Sequence, residues 1–159
     1  MVKRVSRMGK FVNADEAFEA WTSGDLRRML AARSIPTNPI DRHFLLQGIV
    51  KEAYRRRVDP EMRRICIETG LMHLEEFGTI APALQKDMGG SLPRVPSFAW
   101  LATVMAEAGR VEDAVRVCEE AARFGADDGT QSGYRGRGER LRTKHSKAQR
   151  NGQPLGKSS

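Results

Sequence analysis

The chain has 159 residues, of which 40% are hydrophobic and 30% are charged, which is typical of one globular domain with its own core. It contains two cysteines, Cys66 and Cys118, too few for a disulfide scaffold or a four-cysteine zinc module. No run approaches the roughly 18 apolar residues of a transmembrane helix, and the basic start leads into a polar segment rather than an apolar signal sequence. We therefore expect a soluble, cytoplasmic protein that holds no metal or cofactor and has no membrane association.

The net charge of +7 is distributed unevenly along the chain. Residues 1–12 carry four cations and no acid, residues 13–132 carry 15 cations and 19 acids, and residues 133–159 carry eight cations and one acid. This distribution predicts a basic N-terminal arm over 1–12, a helical domain over 13–132 and a basic, largely flexible tail over 133–159.

The first helical segment spans residues 13–33. We assign Asn13 as its N-cap, because asparagine caps helices well and acidic residues follow in the first turn. The apolar stripe of this segment is interrupted at Ser23-Gly24-Asp25. The interruption predicts either two short helices or one kinked helix.

The next two helices have the clearest start signals in the chain. Asn38, followed by proline, opens a helix over residues 40–57. Asp59, also followed by proline, opens a second helix that we expect to end near Phe77. Only Val58 lies between the two helices, so they are expected to fold back as a tight antiparallel pair.

The second half of the chain also shows a helical pattern. We predict a short helix from Thr79 to the glycines at 89–90, an extended proline-rich connector, and then a second helix pair that turns at Gly109 and ends at Gly125. A loop rich in turn-forming residues follows, and residues 139–150 are compatible with a terminal helix. Because no alternating β pattern of useful length occurs, the sequence predicts an all-α fold.

The second helix pair has small and large side chains at regular positions. These positions are Phe98, Leu101, Ala102, Met105, Gly109, Val111, Ala114, Cys118 and Ala121. In this register, residues 95–128 resemble one tetratricopeptide repeat (TPR), a 34-residue helix–turn–helix unit. Two features depart from the family pattern: Met105 stands where an aromatic residue is common, and the proline near the end of the repeat is absent. A plain helical hairpin therefore remains the alternative.

A shift of 52 residues superimposes the first helix pair on the second. It aligns Leu46 with Phe98 and Cys66 with Cys118. The 18 residues by which this shift exceeds a 34-residue repeat match the length of the segment 79–96. We therefore expect a short TPR-like stack of antiparallel helix pairs, with a degenerate repeat at about 41–77 before the clearer one at 95–128.

The resemblance implies a function and a binding surface. TPR-like proteins are non-catalytic scaffolds or adaptors that bind a protein or peptide, and the first helix of each pair lines their concave groove. Carried over by position, the groove consists of Gln47, Lys51, Tyr54, Arg55, Ala99, Thr103, Ala106 and Glu107. Lys51 and Arg55 favour an acidic peptide or a free carboxylate as the partner. The alternative is that these two cations form a solvated row without a ligand.

The basic tail carries a second functional hypothesis. It interleaves one tyrosine and several glycines with cations at Tyr134, Arg135, Arg137, Arg140, Arg142 and Lys144. Such a composition can stack on bases and neutralise phosphates, so the alternative function is nucleic-acid binding through the tail. A tail that only increases solubility accounts for the same composition.

The sequence does not predict a catalytic or metal site. Cys66 and Cys118 fall on apolar helix faces, where cysteine acts as a small hydrophobic residue. His73 lies about two helical turns from Cys66, too far for a hydrogen bond along one helix. Neither His43 nor His145 has a recognisable partner for acid–base chemistry. We therefore expect no enzymatic activity.

Overall fold

The protein is described by a computed structural model that covers residues 2–152. Seven helices make up most of that range, which confirms the all-α fold class. In chain order they are α1 (Glu16–Ser23), α2 (Leu26–Ala32), α3 (Pro39–Arg55), α4 (Pro60–Asp87), α5 (Ser97–Glu107), α6 (Val111–Arg123) and α7 (Gly133–Arg150). One antiparallel hairpin of strands β1 (Arg4–Arg7) and β2 (Lys10–Asn13) precedes them. None of the helices is both long and apolar enough to cross a membrane.

The capping residues expected for α3 and α4 are confirmed. Asn38 accepts a hydrogen bond from the backbone N–H of Asp41 at 2.9 Å. Asp59 accepts one from the backbone N–H of Glu61 at 2.8 Å. Each cap is followed by proline at the first helical position, where no intrahelical N–H bond is lost. These local signals therefore fix where both helices begin.

The first helical segment forms two short helices. Asp15, rather than the predicted Asn13, caps α1 by accepting a hydrogen bond from the backbone N–H of Phe18 at 3.0 Å. Asn13 is unavailable because it is the last residue of β2. Gly24 has a left-handed backbone with φ of 70°, which ends α1, and Asp25 caps α2.

The N-terminal segment differs from the predicted basic arm over 1–12, because most of it belongs to the β-hairpin. Met8 and Gly9 form its two-residue turn with φ angles of 53° and 79°, as a type I′ turn requires. Val5 pairs with Val12 across the hairpin, and both are half-buried. Four-residue strands around a Met-Gly turn give a weak sequence pattern, which explains why the hairpin was not expected.

Helix α4 is longer than predicted. The sequence indicated a helix that ends near Phe77 and a separate short one after it, but α4 continues through 28 residues. Pro82 lies inside it and removes one backbone N–H donor. Ile80 and Leu84 are nevertheless buried at helical spacing from Phe77. Burial of this continuous apolar face therefore outweighs the cost of the internal proline.

The helices pack as successive antiparallel pairs. Helix α3 packs against α1, α2, α4 and α5, while α6 packs against both α5 and α7. A close approach of α4 to α5 occurs at Gly70, where a Cβ atom would lie 2.9 Å from Cδ1 of Leu101. The pairs α3/α4 and α5/α6 occupy the segments predicted as repeats, about 41–77 and 95–128, and their membership of the TPR family stays a prediction.

The segment predicted as a flexible tail begins as helix α7, docked on α6. Its anchor is Tyr134, which is 1% exposed. The tyrosine hydroxyl donates a hydrogen bond to the carbonyl oxygen of Val95 and accepts one from the backbone N–H of Ala99 at 3.0 Å. The end of the predicted tail, residues 153–159, lies outside the described residues. The sequence indicated a helix only over residues 139–150, and it did not predict the docking because the partners that anchor Tyr134 are distant in the chain.

Replacing Ala114 with leucine is expected to destabilise the protein by about 1–3 kcal/mol. Ala114 is fully buried on α6, in the apolar cluster that joins α4, α5 and α6, so three extra heavy atoms would overpack it. Urea denaturation of the variant measures the change. Ala126 is not a suitable control, because it is only 9% exposed and packs in that cluster. Ala31 is the better control because it is exposed on α2. Equal losses for Ala114→Leu and Ala31→Leu would contradict the tight packing of α6.

Candidate functional site

The four groove residues predicted on the first helix pair all lie on α3. Lys51 and Arg55 are exposed, whereas Gln47 and Tyr54 are half-buried. The guanidinium of Arg55 lies 3.2 Å from a carboxylate oxygen of Glu52, one turn earlier on the same helix. This part of the predicted groove therefore presents two exposed cations and one aromatic ring.

The four predicted residues of the second pair all lie on α5, but they do not form one accessible row. Thr103 and Ala106 are half-buried, and Glu107 is exposed. Ala99 is only 8% exposed, and its backbone N–H is bonded to the hydroxyl of Tyr134 from α7. The prediction that Ala99 lines an open groove is therefore wrong, because α7 covers that end of α5.

An aromatic pair connects α3 to α5. The rings of Tyr54 and Trp100 stack with centroids 6.0 Å apart and an angle of 29° between their planes. The guanidinium of Arg57 lies 4.0 Å from the centroid of the Tyr54 ring. Its Nε also donates to a carboxylate oxygen of Glu107 at 2.8 Å. The structure thus brings two of the predicted residues, Tyr54 and Glu107, together through Arg57.

Sequence reasoning missed Trp100 and Arg57. Arg57 is the last residue of the helix predicted over residues 40–57, and its guanidinium reaches Glu107 of the second helix pair. Trp100 falls outside the core positions of α5, and an aromatic residue away from the apolar stripe is the signal that would have identified it. We refer to six residues as the α3–α5 surface: Lys51, Tyr54, Arg55, Arg57, Trp100 and Glu107.

The residues predicted to bind nucleic acid lie on α7, and three of them already have partners. Tyr134 is buried, so the expectation that it stacks on bases is wrong. Arg137 donates to a carboxylate oxygen of Asp128 at 2.9 Å, and Arg142 donates to Glu119 at 3.0 Å. The folded helix therefore uses these side chains to hold α7 against the rest of the protein.

The other three predicted residues of α7 remain accessible. Arg135, Arg140 and Lys144 are all exposed. Arg140 donates a hydrogen bond to the hydroxyl of Ser132 at 2.7 Å, which is a neutral partner. The positive charges of these three side chains therefore lie at the protein surface.

Two histidines form a hydrogen-bonded pair in the core. Nδ1 of His43 lies 3.0 Å from Nε2 of His73, and both residues are fully buried. The rings of Phe44, Phe77 and Phe98 lie around the pair. Neither of the two outer ring nitrogens has a hydrogen-bond partner in residues 2–152. Each imidazole therefore makes its one hydrogen bond to the other.

The environment of this pair favours its neutral form. Burial lowers the pKa of His43 from its ordinary value of 6.5 to about 4. Burial, together with the neighbouring His43 and Arg42, also lowers the pKa of His73 well below its ordinary value. Both imidazoles are therefore uncharged at neutral pH. Because both are buried, neither is accessible to act as an acid or base at the protein surface.

The two cysteines are also buried away from solvent. Burial raises the pKa of the Cys66 thiol to about 12, against a smaller opposing effect of Arg57. Burial likewise raises the pKa of Cys118 to about 11. Both remain protonated at neutral pH, so neither presents a thiolate nucleophile. Within residues 2–152, no three or more His, Cys, Asp or Glu side chains are grouped so that they could hold a metal ion.

The α3–α5 surface is the arrangement best suited to contact another molecule. It combines the half-buried rings of Tyr54 and Trp100 with the exposed cations Lys51 and Arg55. Aromatic and arginine side chains of this kind dominate protein interfaces. No protein-family model, curated protein or solved structure matches the chain, so this surface is interpreted from its own chemistry.

Proposed function

We propose that this protein is a non-catalytic cytoplasmic scaffold or adaptor of TPR-like type. Its partner is a protein or peptide with acidic side chains or a free carboxylate, bound at the α3–α5 surface. The observation that carries the proposal is the stacking of Tyr54 on Trp100, which joins two helix pairs and leaves both rings only half-buried. Rigid aromatic side chains supply contact area at a low cost in conformational entropy.

The cations around the aromatic pair differ in whether they are free to bind a carboxylate of the partner. Arg57 is committed to Glu107 and to the Tyr54 ring. Within residues 2–152, the one carboxylate paired with Arg55 is that of Glu52, at an exposed site where such a pair contributes at most about 1 kcal/mol. Arg55 can therefore exchange Glu52 for a carboxylate of the partner, and Lys51 adds a second positive charge one turn away.

The position of Glu107 determines which way round the partner segment lies on the α3–α5 surface. Its carboxylate repels acidic groups, although Arg57 offsets part of that charge. An acidic side chain of the partner should therefore bind towards Lys51 and Arg55. An apolar part of the partner should contact the exposed portions of Tyr54 and Trp100.

The double variant Lys51→Glu/Arg55→Glu is expected to abolish binding of acidic peptides. Each substitution removes an attraction of about 1 kcal/mol at an exposed site and adds a repulsion of similar size, so binding should weaken about 100-fold or more. An array of short peptides with varied Asp and Glu content selects the ligand, and fluorescence anisotropy measures its dissociation constant. The helical circular-dichroism signal should not change, because both side chains are exposed.

The control variant Arg27→Glu/Lys86→Glu makes the same change in net charge at exposed positions of α2 and α4. It should retain the affinity of the original protein. Equal losses in the two variants would mean that bulk charge, not the α3–α5 surface, attracts the peptides. Selection of basic peptides, or of none, would also contradict the proposal.

A further inference from the structure

Helix α7 has one face docked on the rest of the protein. Tyr134 and Gly138 are buried on that face, and Leu141 and His145 are half-buried. A Cβ atom at Gly138 would lie 3.2 Å from Cβ of Cys118, so glycine allows α7 to approach α6 closely. The docked positions recur every three or four residues, which fixes the direction of the opposite face.

A row of cations lies on α7 away from this docked face. Arg140, Lys144 and Lys147 are spaced by four and three residues, which places them on one side of the helix, and all three are exposed. Successive members are about 6 Å and about 4.5 Å apart along the helix axis. We call these three residues the basic row. Within residues 2–152, no carboxylate forms an ion pair with any of them.

We propose that the basic row binds the phosphate backbone of a duplex nucleic acid. Phosphates are bound by lysine and arginine side chains, and a docked helix presents three of them in one row without ordering a flexible segment. The binding does not depend on the base sequence, because the contacts are to phosphate. It uses a surface separate from the α3–α5 surface.

The structure favours a duplex over two other polyanions. Single-strand binding relies on aromatic rings that stack on bases, and the tyrosine of α7, Tyr134, is buried. Insertion of an amphipathic helix into an anionic membrane needs a free apolar face, but the apolar side chains of α7 already pack on the protein. A rigid row of cations suits the regular phosphates of a double helix.

The distribution of charge along the chain also supports binding of a polyanion at α7. Residues 133–150 carry seven cations and one acid, whereas residues 13–132 carry four more acids than cations. The four cations of residues 1–12 offset that excess, so the net positive charge of the chain lies in the segment that forms α7 and follows it. Such a concentration of charge attracts a polyanion to α7, where the basic row is exposed.

The variant Arg140→Gln/Lys144→Gln/Lys147→Gln tests this proposal in the full chain. Fluorescence anisotropy of a labelled 20-bp DNA duplex gives the binding constant over a series of salt concentrations. Removal of three phosphate contacts should reduce the slope of log Kobs against log salt by about 2–3. The control Lys10→Gln/Arg27→Gln/Lys86→Gln removes the same charge at exposed positions elsewhere and should leave the slope unchanged.

Several outcomes would overturn the proposal. The first is no salt-dependent binding of the duplex by the original protein, and the second is an equal loss of slope in both triple variants. Tighter binding to a single strand of equal length, or to phosphatidylcholine vesicles that contain phosphatidylserine, would assign α7 to another class of partner. If the triple variant has a lower melting temperature, Lys144→Gln/Lys147→Gln replaces it, with an expected loss of slope of about 2.

Discussion

Replacing Tyr134 with alanine is expected to lower the free energy of unfolding by about 3–5 kcal/mol. The side chain is among the largest that are fully buried, and its ring lies 6.1 Å from that of Phe98. Truncation would leave a cavity and would remove both hydrogen bonds that join α7 to the start of α5. Urea denaturation measures the loss, and amide hydrogen exchange should show that α7 loses protection first.

Two further substitutions separate the contributions of the tyrosine. Tyr134→Phe keeps the ring but removes the hydroxyl that donates to the carbonyl oxygen of Val95, at an expected cost of about 1–3 kcal/mol. The N–H of Ala99 keeps the carbonyl oxygen of Pro96 as an acceptor at 3.0 Å. Phe11→Ala removes an aromatic ring that is 71% exposed, and it should change the stability by less than about 0.5 kcal/mol. Unchanged protection of α7 in Tyr134→Ala would show that this residue does not anchor the helix.

Acidification from pH 7 to pH 4 is expected to lower the free energy of unfolding by about 3 kcal/mol through His43 alone. The unfolded chain binds a proton at this residue below about pH 6.5, whereas burial in the folded chain delays protonation to about pH 4. Between these values the unfolded state holds more protons, so stability falls as the pH falls. His73, whose pKa is lowered as well, acts in the same direction.

The ionisation of Asp41 affects the stability at lower pH than the histidines do. Burial opposes ionisation of Asp41, but hydrogen bonds from Arg7, Trp21 and Asn38 outweigh it and lower the pKa below its ordinary value of 3.8. The stability that Asp41 contributes is present above that value and is lost as the pH falls through the lowered pKa. The change in the free energy of unfolding between pH 6.5 and about 4.5 is therefore assigned to the histidines.

The variant His43→Leu/His73→Leu tests the origin of this pH dependence. It removes both titrating groups, and replacing two bonded partners with apolar groups is far less costly than replacing one. Denaturation at a series of pH values should show a flatter profile between pH 6.5 and 4.5. Phe11→Ala, which leaves both histidines in place, is the control and should keep the original slope. An unchanged slope in the double variant would contradict the assignment.

The sequence contains more information on the first helix pair than on any other part of the fold. The caps at Asn38 and Asp59 locate both helices, and a tight turn at Val58 fixes their register. His43 and His73 each lie 15 residues from Val58, so an antiparallel pair places them opposite one another. The register alone would have predicted the contact between the two histidines.

Other features depend on contacts that a local pattern does not contain. A separate helix was predicted to begin at Thr79, but burial of the surrounding apolar residues continues α4 through this position. Tyr134 lies in a glycine-rich segment, and its hydrogen-bond partners are 35 and 39 residues away in the chain. Similarly, the contact of Tyr54 with Trp100 depends on how α3 packs against α5. The resemblance to a repeat selected Tyr54 by position, but it provided no way to find its partner.

The β-hairpin is attached to parts of the chain that are synthesised much later. Arg7 donates to Asp41 at 2.8 Å, and the backbone N–H of Met8 donates to Asp87 at 2.6 Å, across 34 and 79 residues. At a translation rate of about 5–20 residues per second, Met8 waits about 4–16 s before Asp87 exists. The hydrogen bond that attaches the hairpin turn to Asp87 can therefore form only after the whole of α4 has been synthesised.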